Sequence, residues 1–302
     1  MTDTRAVDIM NHAQGLIRNL GQGISFEFEE FRIMTKTTFK GVFRGRIPSD
    51  EEIQASGILS GHDSVEDVVA EMDALGYDRI VACATKMWSP HYHHQLIMDC
   101  PIEDLAAVVD ASGGRLIGAA SYNPFRIDQS LREIEQAVRD FGFRYVWFHP
   151  LSFGIPPDDA RFYPLYAKCS ELHIPVGLQV GHSAEVLPSD GGRPMIVDRV
   201  AIDFPDLKIN LSHTGWPWVD EWCSMLWRHP NVYGDISAYY PASLDERLVR
   251  FMDSSRGRDK VLFGTNGIGL KRCETEFRAL EIDDRTKQKV LRDNVLEFLG
   301  ID

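Results

Sequence analysis

The chain is poor in the features that assign a protein quickly. Its five cysteines, Cys83, Cys100, Cys169, Cys223 and Cys273, are far apart and make no CxxC pair. That spacing argues for reduced thiols in a cytoplasm, where they serve as small buried hydrophobes. Positive charge is in deficit. The 32 Lys and Arg stand against 45 Asp and Glu, a formal net charge of −13, which argues against binding a nucleic-acid phosphate backbone. No apolar run approaches the ~20 residues of a membrane span. Residues 1–15 lack the charged–apolar–small order of a signal peptide. No GxGxxG or Walker loop is present. These absences lead to the expectation of a cytoplasmic homo-oligomer that acts on a small molecule, with neither nucleic acid nor membrane as partner.

What is present is a rhythm. Short apolar runs recur at 6–10, 79–84, 115–123, 144–149, 175–180, 208–213, 232–237 and 260–266. Most are continuous in apolar residues rather than alternating, as strands buried on both faces are. Amphipathic stretches lie between them. SVEDVVAEMDALG (64–76) opens on Ser64 with Asp67 three residues later and stops at Gly76, a helix with start and stop signals. QSLREIEQAVRDFG (129–142) sets Leu131, Ile134 and Val138 on one stripe. A last helix is expected over 284–300. Eight strands alternating with helices imply parallel pairing and right-handed crossovers. At a length of 302 residues this predicts an α/β fold, a single (β/α)8 TIM barrel over 1–302, with residues 11–63 inserted after the first strand and lying over the barrel mouth.

A barrel enzyme carries its site at the C-terminal strand ends. Those ends present His12, Lys86, Asn123, His149, Gln179, His182, His213 and Asn266. Asp235, inside the seventh run, reads as a residue that orders the mouth. Trp88, Trp147, Phe148, Phe153, Trp216 and Trp218 gather near the same ends and suit a bulky or ring-bearing substrate. SPHYHHQ places His91, His93 and His94 close together, in a loop whose simpler reading is a solvated patch. In SFEFEEF, Glu27, Glu29 and Glu30 read as the solvated face of a strand.

Four segments carry a family resemblance: VGLQVGHS (176–183), NLSHTGWPWVDE (210–221), PNVYGDISAYYP (230–241) and KVLFGTN (260–266). They resemble the amidohydrolase-related branch of the amidohydrolase superfamily, which holds aminocarboxymuconate semialdehyde decarboxylase-like and resorcylate-type decarboxylases, lactonases and other hydrolases. The resemblance implies a barrel with a metal at its mouth. It departs from the family pattern in places. The first strand reads Met10-x-His12, so one His of an HxH pair is lost. Trp147 stands at the fourth-strand Lys position and Gln179 at the fifth-strand His position. His213 is intact, and Asn266 replaces the last-strand Asp.

On this basis His12, His149, His182, His213 and Asn266 are the expected ligands of a divalent transition metal (zinc, iron or manganese). His182, His213 and Asn266 are the catalytic candidates, and Lys86, Trp147, Gln179 and Trp216 the substrate-binding ones. The leading expectation is a metal-dependent hydrolase, a thioesterase included, using metal-activated water on an ester, thioester, lactone or amide. The alternatives are a metal-dependent non-oxidative decarboxylase of an aromatic or unsaturated acid, and a metal-free binding barrel.

Overall fold

A computed structural model describes residues 4–18, 20, 24–58, 61–92 and 95–302. The strands are β1 (Ala6–His12), β2 (Tyr77–Cys83), β3 (Lys86–Ser89), β4 (Gln95–Asp99), β5 (Leu116–Ala120), β6 (Tyr145–Phe148), β7 (Val176–Gln179), β8 (Ile209–Ser212), β9 (Val232–Asp235) and β10 (Val261–Leu262). Eight of them form one sheet in the order β1-β2-β5-β6-β7-β8-β9-β10, with every pair parallel. The last strand meets the first through backbone hydrogen bonds from Ile9 N to Phe263 O (3.0 Å) and from Asn266 N to Met10 O (2.7 Å). This is the expected (β/α)8 barrel.

The continuous apolar runs are explained by two cores. Ile80, Ala82, Val146, Phe148, Val176, Leu178, Ile209 and Leu211 face outward and pack with the helices. Val7, Val81, Cys83, Ile117, Tyr145, Trp147 and Leu262 form a separate cluster, joined by Phe298 of the C-terminal helix. β2, β5 and β6 alternate between these clusters, so both of their faces are apolar, whereas β7 and β8 turn Gly177, Gln179, Asn210 and Ser212 inward. The inner layer is tight. A Cβ at Gly177 would lie 1.6 Å from Tyr145 Oη, so glycine is required there to admit the tyrosine. The helices start where the capping residues indicated: Ser64 Oγ accepts from Asp67 N (3.1 Å) ahead of Val65–Leu75.

Several local expectations need correction. Lys86 does not end a barrel strand at the mouth, because the chain continues into an antiparallel hairpin, β3 with β4. Glu29 and Glu30 are not on a strand. They open a helix, Glu29–Lys36, that buries Glu30, Phe31, Met34 and Thr35. The i, i+3, i+4 spacing of those residues is helical and outweighs the short alternation before it. The 284–300 helix contains a π turn at Lys289–Asp293. His93 and His94 lie outside the described residues. Within 11–63, Phe31 and Met34 pack with Met87, Ile97 and Met98 of the hairpin, and Thr38 Oγ1 donates to Ala184 O (3.2 Å) beside the mouth. Among the described residues no helix is long and apolar enough to cross a membrane.

The seam between β1 and the end of β10 is held by a buried carboxylate. Asp8 accepts from Met10 N (3.0 Å), Thr265 N (3.0 Å), Thr265 Oγ1 (2.5 Å) and Asn11 Nδ2 (3.4 Å). Asp8→Ala would strand two buried amides and a hydroxyl, each costing ~1–3 kcal/mol unpaired. The expected loss is about 2–5 kcal/mol, read as a lower urea midpoint. A midpoint matching the parent would show that the clamp is dispensable.

Candidate active site

At the C-terminal strand ends lies a cavity of about 760 Å³. His12, Trp147, His149, Gln179, His213 and Asn266 line its depth, and His182, Glu185, Trp216 and Tyr239 line its wall and rim. The strand ends therefore bring together the sequence candidates, with two exceptions. Lys86 and Asn123 line a different cavity, of about 570 Å³, beside the hairpin. There Lys86 Nζ is bound to Asp99 (2.5 Å) and Glu133 (3.4 Å). Nor do all the aromatics serve the mouth. Trp88 stacks with Phe153 and Phe125 away from it, and Phe148 packs outward on Phe162.

Trp147 sits among three imidazoles, with its ring 5.6 Å from His12, 6.0 Å from His149 and 6.1 Å from His213. Its Nε1 donates to Ser212 Oγ (3.0 Å), which fixes the indole as the floor of the cavity. The three imidazoles differ in their partners, and so in what each can do.

His12 Nδ1 is 2.8 Å from Thr85 Oγ1, and Thr85 turns its own hydroxyl hydrogen to Cys83 O (3.4 Å). A proton on Nδ1, donated to Thr85, leaves Nε2 its lone pair. Burial, reinforced by nearby His213, pushes the pKa of His12 down to about 3. Asn266 lies within hydrogen-bonding reach of it, its Oδ1 buried and otherwise without a partner. The backbone of Asn266 is left-handed, φ 58°, a conformation Asn tolerates better than most side chains.

His213 has a different setting. Its Nδ1 is 2.6 Å from Ser237 Oγ, and Ser237 in turn donates to Asp235 Oδ1. Asp235 is fully buried. It also accepts from Asn210 Nδ2 (2.7 Å), Ser212 Oγ (2.7 Å) and His213 N (3.2 Å), so it orders the mouth as the sequence reading had it. Burial holds the His213 pKa below its ordinary value, while Asp235 pulls it back up. His213 and Thr214 both have positive φ, 75° and 63°. Two such residues in succession store strain at the strand end.

His149 caps a short helix, Pro150–Phe153, accepting from Ser152 N through Nδ1 (3.1 Å). Its Nε2 therefore carries hydrogen and points toward Glu185 Oε2, 3.9 Å away. That makes His149 a donor at the cavity wall and not a lone-pair ligand. His182 stands at the exposed rim. It is paired with Ser189 Oγ (2.6 Å) and flanked by Trp216 and Trp218. Gln179 spends Nε2 on Val180 O and His182 O (3.2 and 3.1 Å), leaving Oε1 to offer. Sequence reading missed Glu185. It lies in a loop after β7, where no strand register points to it, yet it lines the cavity and burial raises its pKa. Buried Glu30, bound to Ser89, acts on it from behind.

The donor set can be tested against a metal. Among the described residues no three His, Cys, Asp or Glu side chains stand together as a metal cluster. Any ion here must draw on amide oxygens as well as imidazole. The orphaned Oδ1 of Asn266 beside the lone pair of His12 meets that need, with Gln179 Oε1 as a third neutral donor. The fit is to a divalent cation held by uncharged ligands.

Comparison with known proteins adds the family context. The family model described as amidohydrolase matches residues 45–301. A 2-amino-3-carboxymuconate-6-semialdehyde decarboxylase from Dictyostelium discoideum is 24% identical over 239 residues, 66% of this chain. The match spans 65% of that relative's length, just under two thirds. An uncharacterised TIM-barrel protein from Bordetella bronchiseptica superposes with a TM-score of 0.74 at 26% identity, covering 98% of both chains. A variant of 5-carboxyvanillate decarboxylase from Novosphingobium aromaticivorans superposes with a TM-score of 0.66 at 16% identity, covering 99% of this chain and 97% of that one. It holds manganese and 3-methoxy-4-hydroxy-5-nitrobenzoic acid, and manganese is among the metals expected from the sequence. At that identity the likeness is one of fold. The expectation of a hydrolase, thioesterase included, is overturned, because the relatives with a stated activity are decarboxylases. Asn266 cannot accept a proton at neutral pH, so a base to activate water would have to come from another residue.

The buried imidazoles make stability depend on pH. The folded-state pKa of His149 lies at about 3, below its ordinary 6.5, through burial and then the neighbouring His213. The folded state thus prefers the neutral ring. The stabilisation is fully present above pH 6.5 and is lost as pH falls from there toward the folded value. His149→Asn keeps an oxygen to accept from Ser152 N and removes the titration. The urea midpoint of the parent should fall between pH 7 and pH 5, and that of the variant should fall less. Equal slopes would mean that His149 does not titrate in this way.

Proposed function

The chain belongs to the amidohydrolase family, and from that premise we propose that it catalyses the non-oxidative decarboxylation of an aromatic or unsaturated carboxylic acid. The observation that carries this reading is the chain His213–Ser237–Asp235 at the cavity floor (Nδ1 to Oγ, 2.6 Å), a proton carrier with a buried carboxylate behind it. Decarboxylation of this kind needs a proton delivered to carbon. It does not need a strong base to activate water, so the loss of the acid at position 266 is compatible with it.

His12, Gln179 and Asn266 would hold a divalent transition metal such as manganese. When bound, it would supply the positive charge that holds the substrate's carboxylate or an adjacent hydroxyl oxygen. The protein's own groups do the rest. The indole of Trp147 and the rim indole of Trp216, 47% exposed, offer apolar faces to a planar ring. His213 takes a proton on Nε2, and the resulting imidazolium is stabilised through Ser237 by Asp235, an arrangement that also fixes the ring's orientation. The Nε2 proton passes to the carbon bearing the carboxylate, the new C–H bond taking a π pair of the ring or double bond. The C–C bond to the carboxylate then breaks, its electron pair restores that π bond, and CO2 departs. The carbon keeps the new hydrogen, and neutral His213 is recharged from solvent.

The test is a panel of hydroxylated benzoates and 2-amino-3-carboxymuconate semialdehyde, assayed for CO2 release in manganese-supplemented buffer. One member should be turned over. His213→Ala should lower kcat/KM on it by at least ~10²-fold while the urea midpoint stays within ~1 kcal/mol of the parent, since the change is at a polar mouth and not in the core. Unchanged kcat/KM in the folded variant would remove His213 from the reaction.

A further inference from the structure

The cavity contains no fixed cation. No Lys or Arg is among the described residues that line it. Lys86, read from sequence as a substrate contact, is in the neighbouring cavity with Asp99 and Glu133 as its partners. At the rim, Arg247 is bound to Asp245 and Asp220, and Arg193 to Glu221. The deep donors, His12, Gln179 and Asn266, are all uncharged. Of the nearby acids, Asp8 is committed to Met10 and Thr265 and Asp235 to Asn210, Ser212 and Ser237; Glu185 lines the wall 3.9 Å from His149, and burial raises its pKa, which favours the neutral acid.

An isolated charge taken out of water into such a place loses hydration and meets no opposite charge. That holds for a divalent cation among neutral donors, and equally for a carboxylate in a cavity without Lys or Arg. Each lacks what the other carries. We propose that this site takes up its divalent cation and its carboxylate substrate as a mutually dependent pair, the substrate supplying the negative charge that Asn266 withholds. The inference deepens the decarboxylase reading and rests on it for the choice of carboxylate. Linkage makes the dependence reciprocal: the acid tightens the metal by the same factor by which the metal tightens the acid.

Free Mn2+, counted by its electron paramagnetic resonance signal, measures the dependence without turnover. The protein is titrated with Mn2+ alone, with saturating 2-hydroxybenzoate, and with uncharged 2-hydroxybenzamide. The acid should tighten Mn2+ by about 10–100-fold, and the amide should not. Asn266→Asp places a carboxylate at the site. In that variant Mn2+ alone should bind more tightly than in the parent, and the enhancement by the acid should shrink below about 5-fold. The proposal is overturned if parent Mn2+ affinity is the same with and without the acid, if Mn2+ binds under neither condition, or if the amide enhances as well as the acid does. These outcomes are independent of CO2 release. Coupling without turnover of any acid would sink the reaction and leave the pairing standing, whereas turnover without coupling would do the reverse.

Discussion

The site depends on how the barrel closes. The end of the last strand must return to the first, and it does so through backbone bonds from Ile9 to Phe263 and from Asn266 to Met10 (3.0 and 2.7 Å), with the Asp8 carboxylate gripping Thr265 behind them. His12 and Asn266 are 254 residues apart in sequence. Closure alone makes them neighbours. The left-handed backbone at Asn266 follows from the same constraint, because the chain must turn sharply once the amide is bound to Met10 O. A residue at that turn has to tolerate positive φ as well as face the cavity, and Asn satisfies both demands.

Electrostatics sets what the closed mouth can do. Burial drives the imidazoles of His12 and His149 far below their ordinary pKa, so both are neutral at physiological pH. His213 alone among the three has a buried carboxylate arranged behind it. The division of labour follows from these partners and not from residue type. A lone-pair donor sits beside an orphaned amide oxygen, a second imidazole is consumed as a helix cap, and a third is wired to carry a proton. Strain at His213 and Thr214 is tolerated because Asp235 holds the backbone of His213 and its side-chain partner at once.

The fold was legible because its signal is repetitive: eight apolar runs, each buried on both faces, separated by amphipathic helices with visible starts and stops. The strand-end rule then points His12, Trp147, Gln179, His213 and Asn266 at one cavity, since β-strand register fixes where such residues point. It failed where register ends. Lys86 comes three residues after β2 and opens a hairpin that turns its amine into another cavity. His149 lies one residue beyond β6, where its side chain is drawn off to cap the next helix. His182 and Glu185 belong to one loop, and nothing in the sequence says which of the two faces inward; the structure half-buries Glu185 at the cavity wall and leaves His182 at the rim. Glu30 was misread because a three-residue alternation precedes a helical spacing visible only over a longer window. Reaction type was the least legible property. Composition and motif place a carbonyl hydrolase and a decarboxylase on the same barrel, and the relatives alone separate them.

The central claim is that a proton is delivered to carbon as CO2 leaves. The most direct measurement follows a turned-over acid, labelled with 13C in its carboxyl group, through reaction in D2O. The account predicts one 13CO2 for each molecule consumed and a single deuterium on the carbon that lost it, with no oxygen from solvent entering the organic product. Retention of the label in the organic product, with solvent oxygen incorporated at a cleaved ester, lactone or amide, would contradict it.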